Sequence, residues 1–270
     1  MTRTRNALIW GGIAAQLLFT VSWLVGGLVE GRGYRVSADT ISDLGALTAS
    51  HPGWKLAAQG IAGLLTIAFA LFALRPALAV PGGPRPVAAW LVAASPVGLD
   101  NVADVFFRLD CRAADPWCAH RLTGDSWQAS AHVGLALAGF VLLVITPAVL
   151  AAQFRAHPAW RGSANAALAY SPVMFLGVLV YVGLHGRDGA GYAERALALA
   201  ASTGVVLLAL RASRLTGQEL DRGAPRTGKP PYATAPADAT APADATAPSG
   251  EREEPGNREA PGNREQRGAS

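Results

Sequence analysis

The residues best able to do chemistry lie between Ser95 and Asp110, in Ser-Pro-Val-Gly-Leu-Asp-Asn-Val-Ala-Asp-Val-Phe-Phe-Arg-Leu-Asp. Asp100, Asp104 and Arg108 recur at every fourth position, which stacks them along one face of a helix. With about 1.5 Å of rise per residue, Asp104 lies about 6 Å and Asp100 about 12 Å below Arg108. A carboxylate held that deep in a bilayer costs on the order of 2.5–3.5 kcal/mol. The two acids are therefore expected to face a bundle interior or a wet cavity. His132 enters the next apolar run, with Ser126 and Ser130 near it in sequence. Carboxylates beside an imidazole could ligate a metal. They could work as an acid–base pair that hydrolyses a lipid or protonates an isoprenoid, with Asp100, Asp104 and His132 as the catalytic candidates. They could also line a proton or cation path. No HExxH or comparable spacing accompanies them, so no metal site is assigned. The structural alternative pairs Asp104 with Arg108 and hydrogen-bonds Asp100 to Asn101 or to another helix, since buried polar groups need partners.

A second polar segment is Thr40-Ile-Ser-Asp-Leu-Gly-Ala-Leu. Ser42 and Asp43 could cap a short helix, with Gly45 as a flexible point. Alternatively the segment is a lid or a head-group contact. Ser42 lacks a Gly-x-Ser-x-Gly elbow, so the sequence does not read it as a nucleophile. His185 ends the fifth apolar run, and Glu194 and Arg195 open the sixth. Ser42, Asp43, Arg108, Asp110, His185, Glu194 and Arg195 are the candidate binding residues. Histidines 51, 120, 132 and 185 are expected on one face of the membrane. No P-loop, dinucleotide fingerprint or haem motif occurs.

These residues must be positioned by an unusually apolar chain. The protein has 270 residues, 51% of them hydrophobic and 16% charged, against about 25% charged in an average soluble protein. Mean hydropathy is +0.25. Six stretches, near 7–29, 56–75, 87–107, 128–152, 165–184 and 190–213, are long enough to span a bilayer, which takes about 20 helical residues. The third is the weakest, because it contains Asp100, Asn101 and Asp104. The first follows Met-Thr-Arg-Thr-Arg, but its apolar run exceeds the 7–15 residues of a signal-peptide core, so it reads as an uncleaved anchor. Gly11-Gly12, Gly26-Gly27 and Gly60-x-x-Gly63 allow close helix packing. Pro96, Pro147 and Pro172 can kink helices. Trp10, Trp23, Trp54, Trp90, Trp127 and Trp160 fit an interfacial aromatic belt. The expected fold is all-α and polytopic: one bundle of six transmembrane helices over 1–215, then a tail at 216–270. That tail repeats Ala-Pro-Ala-Asp-Ala-Thr and Pro-Gly-Asn-Arg-Glu, has no apolar run, and is expected to be disordered.

With the N-terminus inside, eight arginines or lysines of the body fall on each side, and Arg222, Arg226 and Lys229 tip the balance inward. Both termini are therefore expected in the cytoplasm, with the protein multi-pass in the cell membrane. Cys111 and Cys118 then lie outside, where the spacing Cys-Arg-Ala-Ala-Asp-Pro-Trp-Cys suits a closed loop and the compartment preserves disulfides. A net charge of +4 and a pI near 9.4 do not indicate nucleic acid, because the basic residues stand singly between apolar runs.

Ile41-Ser-Asp-Leu-Gly45 after the first helix resembles the signature of the bacterial and archaeal domain-of-unknown-function family 998. Asp104-x-x-x-Arg108-x-Asp-Cys111, the cysteine-bearing loop, His132 and the Glu194-Arg195 pair are similar as well. The resemblance covers roughly residues 7–213 and implies a six-helix membrane protein without implying an activity. It singles out Ser42, Asp43, Asp104, Arg108, Asp110 and His132. Three functions fit the residues: a membrane protein binding a lipid or small ligand in an outward-facing cavity, or supporting a protein partner; a membrane-embedded enzyme acting on a lipid or isoprenoid; and a proton- or cation-coupled transporter. Six helices without a clear inverted repeat or paired broken helices speak against the third. Membrane lipid is the expected surrounding partner, and the residues name no cofactor.

Overall fold

A computed structural model describes residues 2–31, 33–116, 118 and 126–223. His120, Arg121 and residues 224–270, with most of the expected tail, lie outside them. Among the described residues the fold is all helix: α1 (Thr2–Val29), α2 (Pro52–Leu78), α3 (Val87–Ala103), α4 (Trp127–Ala156), α5 (Ala164–Leu184) and α6 (Ala190–Gly223). Five of these are long and apolar enough to cross a membrane, and α3 is a shorter apolar helix. The chain is thus a membrane-embedded, multi-pass protein. Successive helices alternate in direction. The α1–α2, α3–α4 and α5–α6 connections gather at one end, called the loop end below, and the start of α1 and the end of α6 lie at the other, the terminus end.

The third helix is interrupted near its middle and ends before its apolar run does. Pro96 has no N–H to donate and forces the residue before it out of helical geometry. Ser95 is accordingly extended, a π turn covers Pro96–Asp100, and regular helix stops at Ala103, four residues before the expected end. A helix over 87–103 rises about 26 Å, less than the roughly 30 Å of a hydrocarbon core. The Thr40–Gly45 segment folds inward as a 3₁₀ turn, Ser42–Gly45, against α1 and α2. By contrast, Pro147 and Pro172 sit inside continuous helices.

Small residues set the helix spacing. A Cβ on Gly12 would meet the Phe69 ring at 2.6 Å, and one on Gly63 would meet the Gly98 carbonyl at 2.6 Å. Gln16 on α1 donates to Thr66 on α2 at 2.8 Å, a buried polar pair between otherwise apolar faces. Leu17, Leu28, Leu64, Phe72, Leu137 and Leu176 point outward, as a lipid-facing surface requires. Two expected belt residues are instead core. Trp23 is buried, and Trp160 is fully so, stacked on Phe154 at 4.8 Å with its indole N–H donating to the Ala77 carbonyl at 3.0 Å. A buried indole needs that partner, and the closing turn before α5 carries it inside.

Candidate functional site

The Thr40–Gly45 segment is held from every side. The Asp43 carboxylate accepts from the Thr40 N–H at 2.7 Å, and the Thr40 hydroxyl accepts from the Asp43 N–H at 3.2 Å. This is a reciprocal capping box, so Thr40 and Asp43 together brace the start of the turn and Ser42 takes no part in it. The other Asp43 oxygen accepts from the Ala113 N–H at 2.8 Å and ties the segment to the cysteine loop. The Ile41 N–H donates to Glu194 on α6, and Leu44 is buried. Gly45 has no positive φ. It is needed for space: a Cβ there would lie 3.1 Å from both Lys55 Nζ and Leu56 Cδ2. Arg195 donates to the carbonyls of Val36 (3.0 Å), Asp39 (2.9 Å) and Gly191 (2.8 Å), and to Tyr34.

Capping by Thr40 leaves the Ser42 hydroxyl free, and it reaches α4. Ser42 Oγ lies 3.2 Å from His132 Nε2. His132 Nδ1 lies 2.9 Å from Asp104 Oδ1 and 3.0 Å from the Phe107 carbonyl. Both neighbours of Nδ1 are acceptors, so in the neutral ring Nδ1 carries the proton and Nε2 offers its lone pair to the Ser42 O–H. Asp104 is steadied by Gln59, whose amide donates to Asp104 Oδ2 at 2.6 Å and to Asn101 at 2.9 Å. Lys55, one turn before Gln59, is fully buried, and its Nζ lies against Gly45.

The expected site residues thus separate. Ser42, Asp104 and His132 converge on one another, with Asp43, Glu194 and Arg195 bracing the segment that carries Ser42. Asp100 keeps its one-turn register below Asp104, with the Asp104 N–H on its carbonyl at 2.9 Å, but its buried Oδ1 has no partner and Asn101 bonds Gln59 instead. The expected Asp104–Arg108 pair does not form. The helix ends before Arg108, which swings back to donate to the Gly45 and Ala46 carbonyls at 2.7 and 2.8 Å. Asp110 accepts from the Ser126 N–H and hydroxyl, at 2.9 and 2.6 Å, and so braces the N-cap of α4. His185 stays outside the cluster, exposed and edge-on to Tyr181 at 5.8 Å. Sequence reasoning missed Lys55 and Gln59. The available signal was a polar pair one turn apart opening an apolar helix.

Cys111 and Cys118 form a disulfide across a Cα–Cα distance of 5.9 Å. Arg112 bridges Glu30 (2.6 Å) and Asp115 (2.8 Å), which fastens the rim of the site to the end of α1. Desolvation works to raise the Asp115 pKa, yet hydrogen bonds from Arg112 and Thr48 hold it below the usual carboxylate range. Burial pushes Asp39 up, and burial likewise pushes the Tyr34 phenol up. Among the described residues, no group of three His, Cys, Asp or Glu side chains could hold a metal ion.

A broken apolar bundle with a polar network closed over its loop end defines a multi-pass, all-α membrane protein. The chain belongs to the family described as "Protein of unknown function (DUF998)", which matches residues 13–211. No curated protein and no solved structure matches it.

Proposed function

We propose that the protein is a membrane-embedded acyl-transfer enzyme that hydrolyses an ester of a membrane lipid at its loop end. In this reading Ser42 is the nucleophile, His132 the base and then the acid, and Asp104 the group that orients the imidazole. One observation carries the proposal: Ser42 Oγ and Asp104 Oδ1 flank opposite ring nitrogens of His132, at 3.2 and 2.9 Å. Such an arrangement is recognised by geometry and roles rather than by sequence motif or chain order. Ser42 Oγ attacks the ester carbonyl while His132 Nε2 takes its proton. The tetrahedral intermediate collapses, and the departing alcohol receives that proton from His132. Water then repeats the sequence on the acyl-serine and releases a carboxylic acid. The loop end faces out of the cytoplasm and both termini face in. The inward excess of basic residues and the disulfide at the loop end support that orientation.

The test is labelling of the purified full chain with a fluorophosphonate, which reacts with an activated serine. One adduct at Ser42 is expected by mass spectrometry, absent in Ser42→Ala and strongly slowed in an equally helical His132→Gln. A folded wild type that takes no label, or a His132→Gln that labels as fast, would leave the cluster as a lipid-binding site without turnover.

A further inference from the structure

A second site lies away from Ser42. Toward the terminus end, α3, α4, α5 and α6 leave a cavity of 440 Å³, within the roughly 300–1,000 Å³ of small-molecule sites. Its wall is mostly apolar, with Leu143, Leu150, Met174 and Val205 among the side chains that form it. Leu207 and Leu210, also on the wall, are exposed on the outside of the bundle, so the cavity communicates with lipid. Along α6 it runs from Ala201 to Arg214, about 20 Å at helical rise. One bilayer leaflet is about 15 Å of hydrocarbon, half the core thickness.

The polar atoms of this wall are distinctive. Arg211 and Arg214 stand three residues apart on one face of α6, and among the described residues no carboxylate lines the cavity. Arg211 Nη2 donates to the Ala159 carbonyl at 2.6 Å, which fixes the guanidinium, while its buried Nε has no partner. The buried Thr146 hydroxyl, across the cavity on α4, also has no partner. A buried donor left unmade is costly. An unpaired buried guanidinium donor beside a second arginine, at one end of an apolar cavity open to lipid, calls for a negatively charged amphiphile.

We infer that this cavity binds one anionic phospholipid, with the phosphate on Arg211 and Arg214 and an acyl chain along α6 past Thr146. Basic pockets between transmembrane helices hold anionic head groups in this way. The inference does not rest on the proposed reaction, because none of Ser42, His132 and Asp104 lines this cavity.

The experiment is native mass spectrometry of the delipidated full chain in mild detergent, titrated with phosphatidylglycerol or with phosphatidylcholine of the same chains. One phosphatidylglycerol per chain is expected, retained at least tenfold more tightly than phosphatidylcholine. Arg211→Gln/Arg214→Gln should bring the two lipids level. Ala201→Phe, which fills the cavity and leaves both arginines, should lose both. Equal retention of the two lipids by the wild type would overturn the inference. So would a double variant that keeps its preference, or release of the lipid by inorganic phosphate at equal concentration. Should a variant fail to fold, crosslinking decides on the wild type. A diazirine on the acyl chain of phosphatidylglycerol must map to α4–α6 around the cavity, and mapping elsewhere refutes the site.

Discussion

Replacing Asp104 by Asn keeps the size of the side chain and reverses one donor. Gln59 Nε2 points at Asp104 Oδ2 from 2.6 Å, so the amide oxygen of an asparagine must turn to that side to accept. Its NH₂ then faces His132 Nδ1, now 2.9 Å from a carboxylate oxygen. Two donors cannot meet, so the imidazole proton moves to Nε2, and Ser42 loses its base. The same loss of the working tautomer in a serine protease lowers turnover about 10⁴-fold, or roughly 5 kcal/mol of transition-state stabilisation. The Phe107 carbonyl, 3.0 Å from Nδ1, loses its donor as well. That costs on the order of 1–3 kcal/mol of stability. The assay is paired. Nitrogen-15 NMR of labelled histidine reads the tautomer, and fluorophosphonate labelling of Ser42 reads the base. Asp104→Asn at native helicity should show the Nε2–H tautomer and label at least a thousandfold more slowly. An unchanged Nδ1–H tautomer with wild-type labelling would refute the chain of reasoning from Gln59 to Ser42.

Three further outcomes follow from the same contacts. Gly45→Ala sets a methyl 3.1 Å from Lys55 Nζ and Leu56, and overpacking of that kind should cost about 1–3 kcal/mol, read as a lower Tm in detergent. Cys111→Ser opens a short loop closed across a separation of seven residues, and the chain-entropy estimate for such a loop is about 2.5 kcal/mol; a reductant should lower the Tm of the wild type and leave the variant unchanged. Asp115 has a pKa held below its unfolded value, so its contribution is fully present above about pH 4 and is lost as pH falls through the folded value. Acid titration below pH 4 should therefore raise amide exchange around Arg112 in the wild type, and Asp115→Asn should remove that increment.

The bundle was legible because apolar runs of about 20 residues leave few alternatives to transmembrane helices. Proline at position 96 also announced a disturbance, and the structure has a π turn there, Pro96–Asp100. Asp104 and His132 were visible as expensive residues in apolar surroundings. What joins them to Ser42 was not, because Ser42 and His132 are 90 residues apart and a one-dimensional pattern carries no pairing. Arg108 was misassigned because a four-residue period counts only while the helix lasts, and this one ends at Ala103. Gly45 looked like a hinge, whereas its Cβ position is crowded by Lys55 and Leu56, neighbours only tertiary structure supplies. His185 shared the loop end with the cluster and yet stayed on its surface, because its ring rests on Tyr181.

The inward-folded turn also sets a timetable for biogenesis. Its Ile41 N–H is satisfied by Glu194, 153 residues further along the chain. At about 5–20 residues per second of synthesis, that acceptor emerges roughly 8–30 s after the donor. Throughout that interval the segment after α1 must remain in water, where its backbone stays hydrated, while α2 to α5 enter the bilayer. The polar network therefore closes last, and arrest of translation before α6 should leave a chain whose Thr40–Gly45 segment is open to protease although four of its neighbours are already inserted.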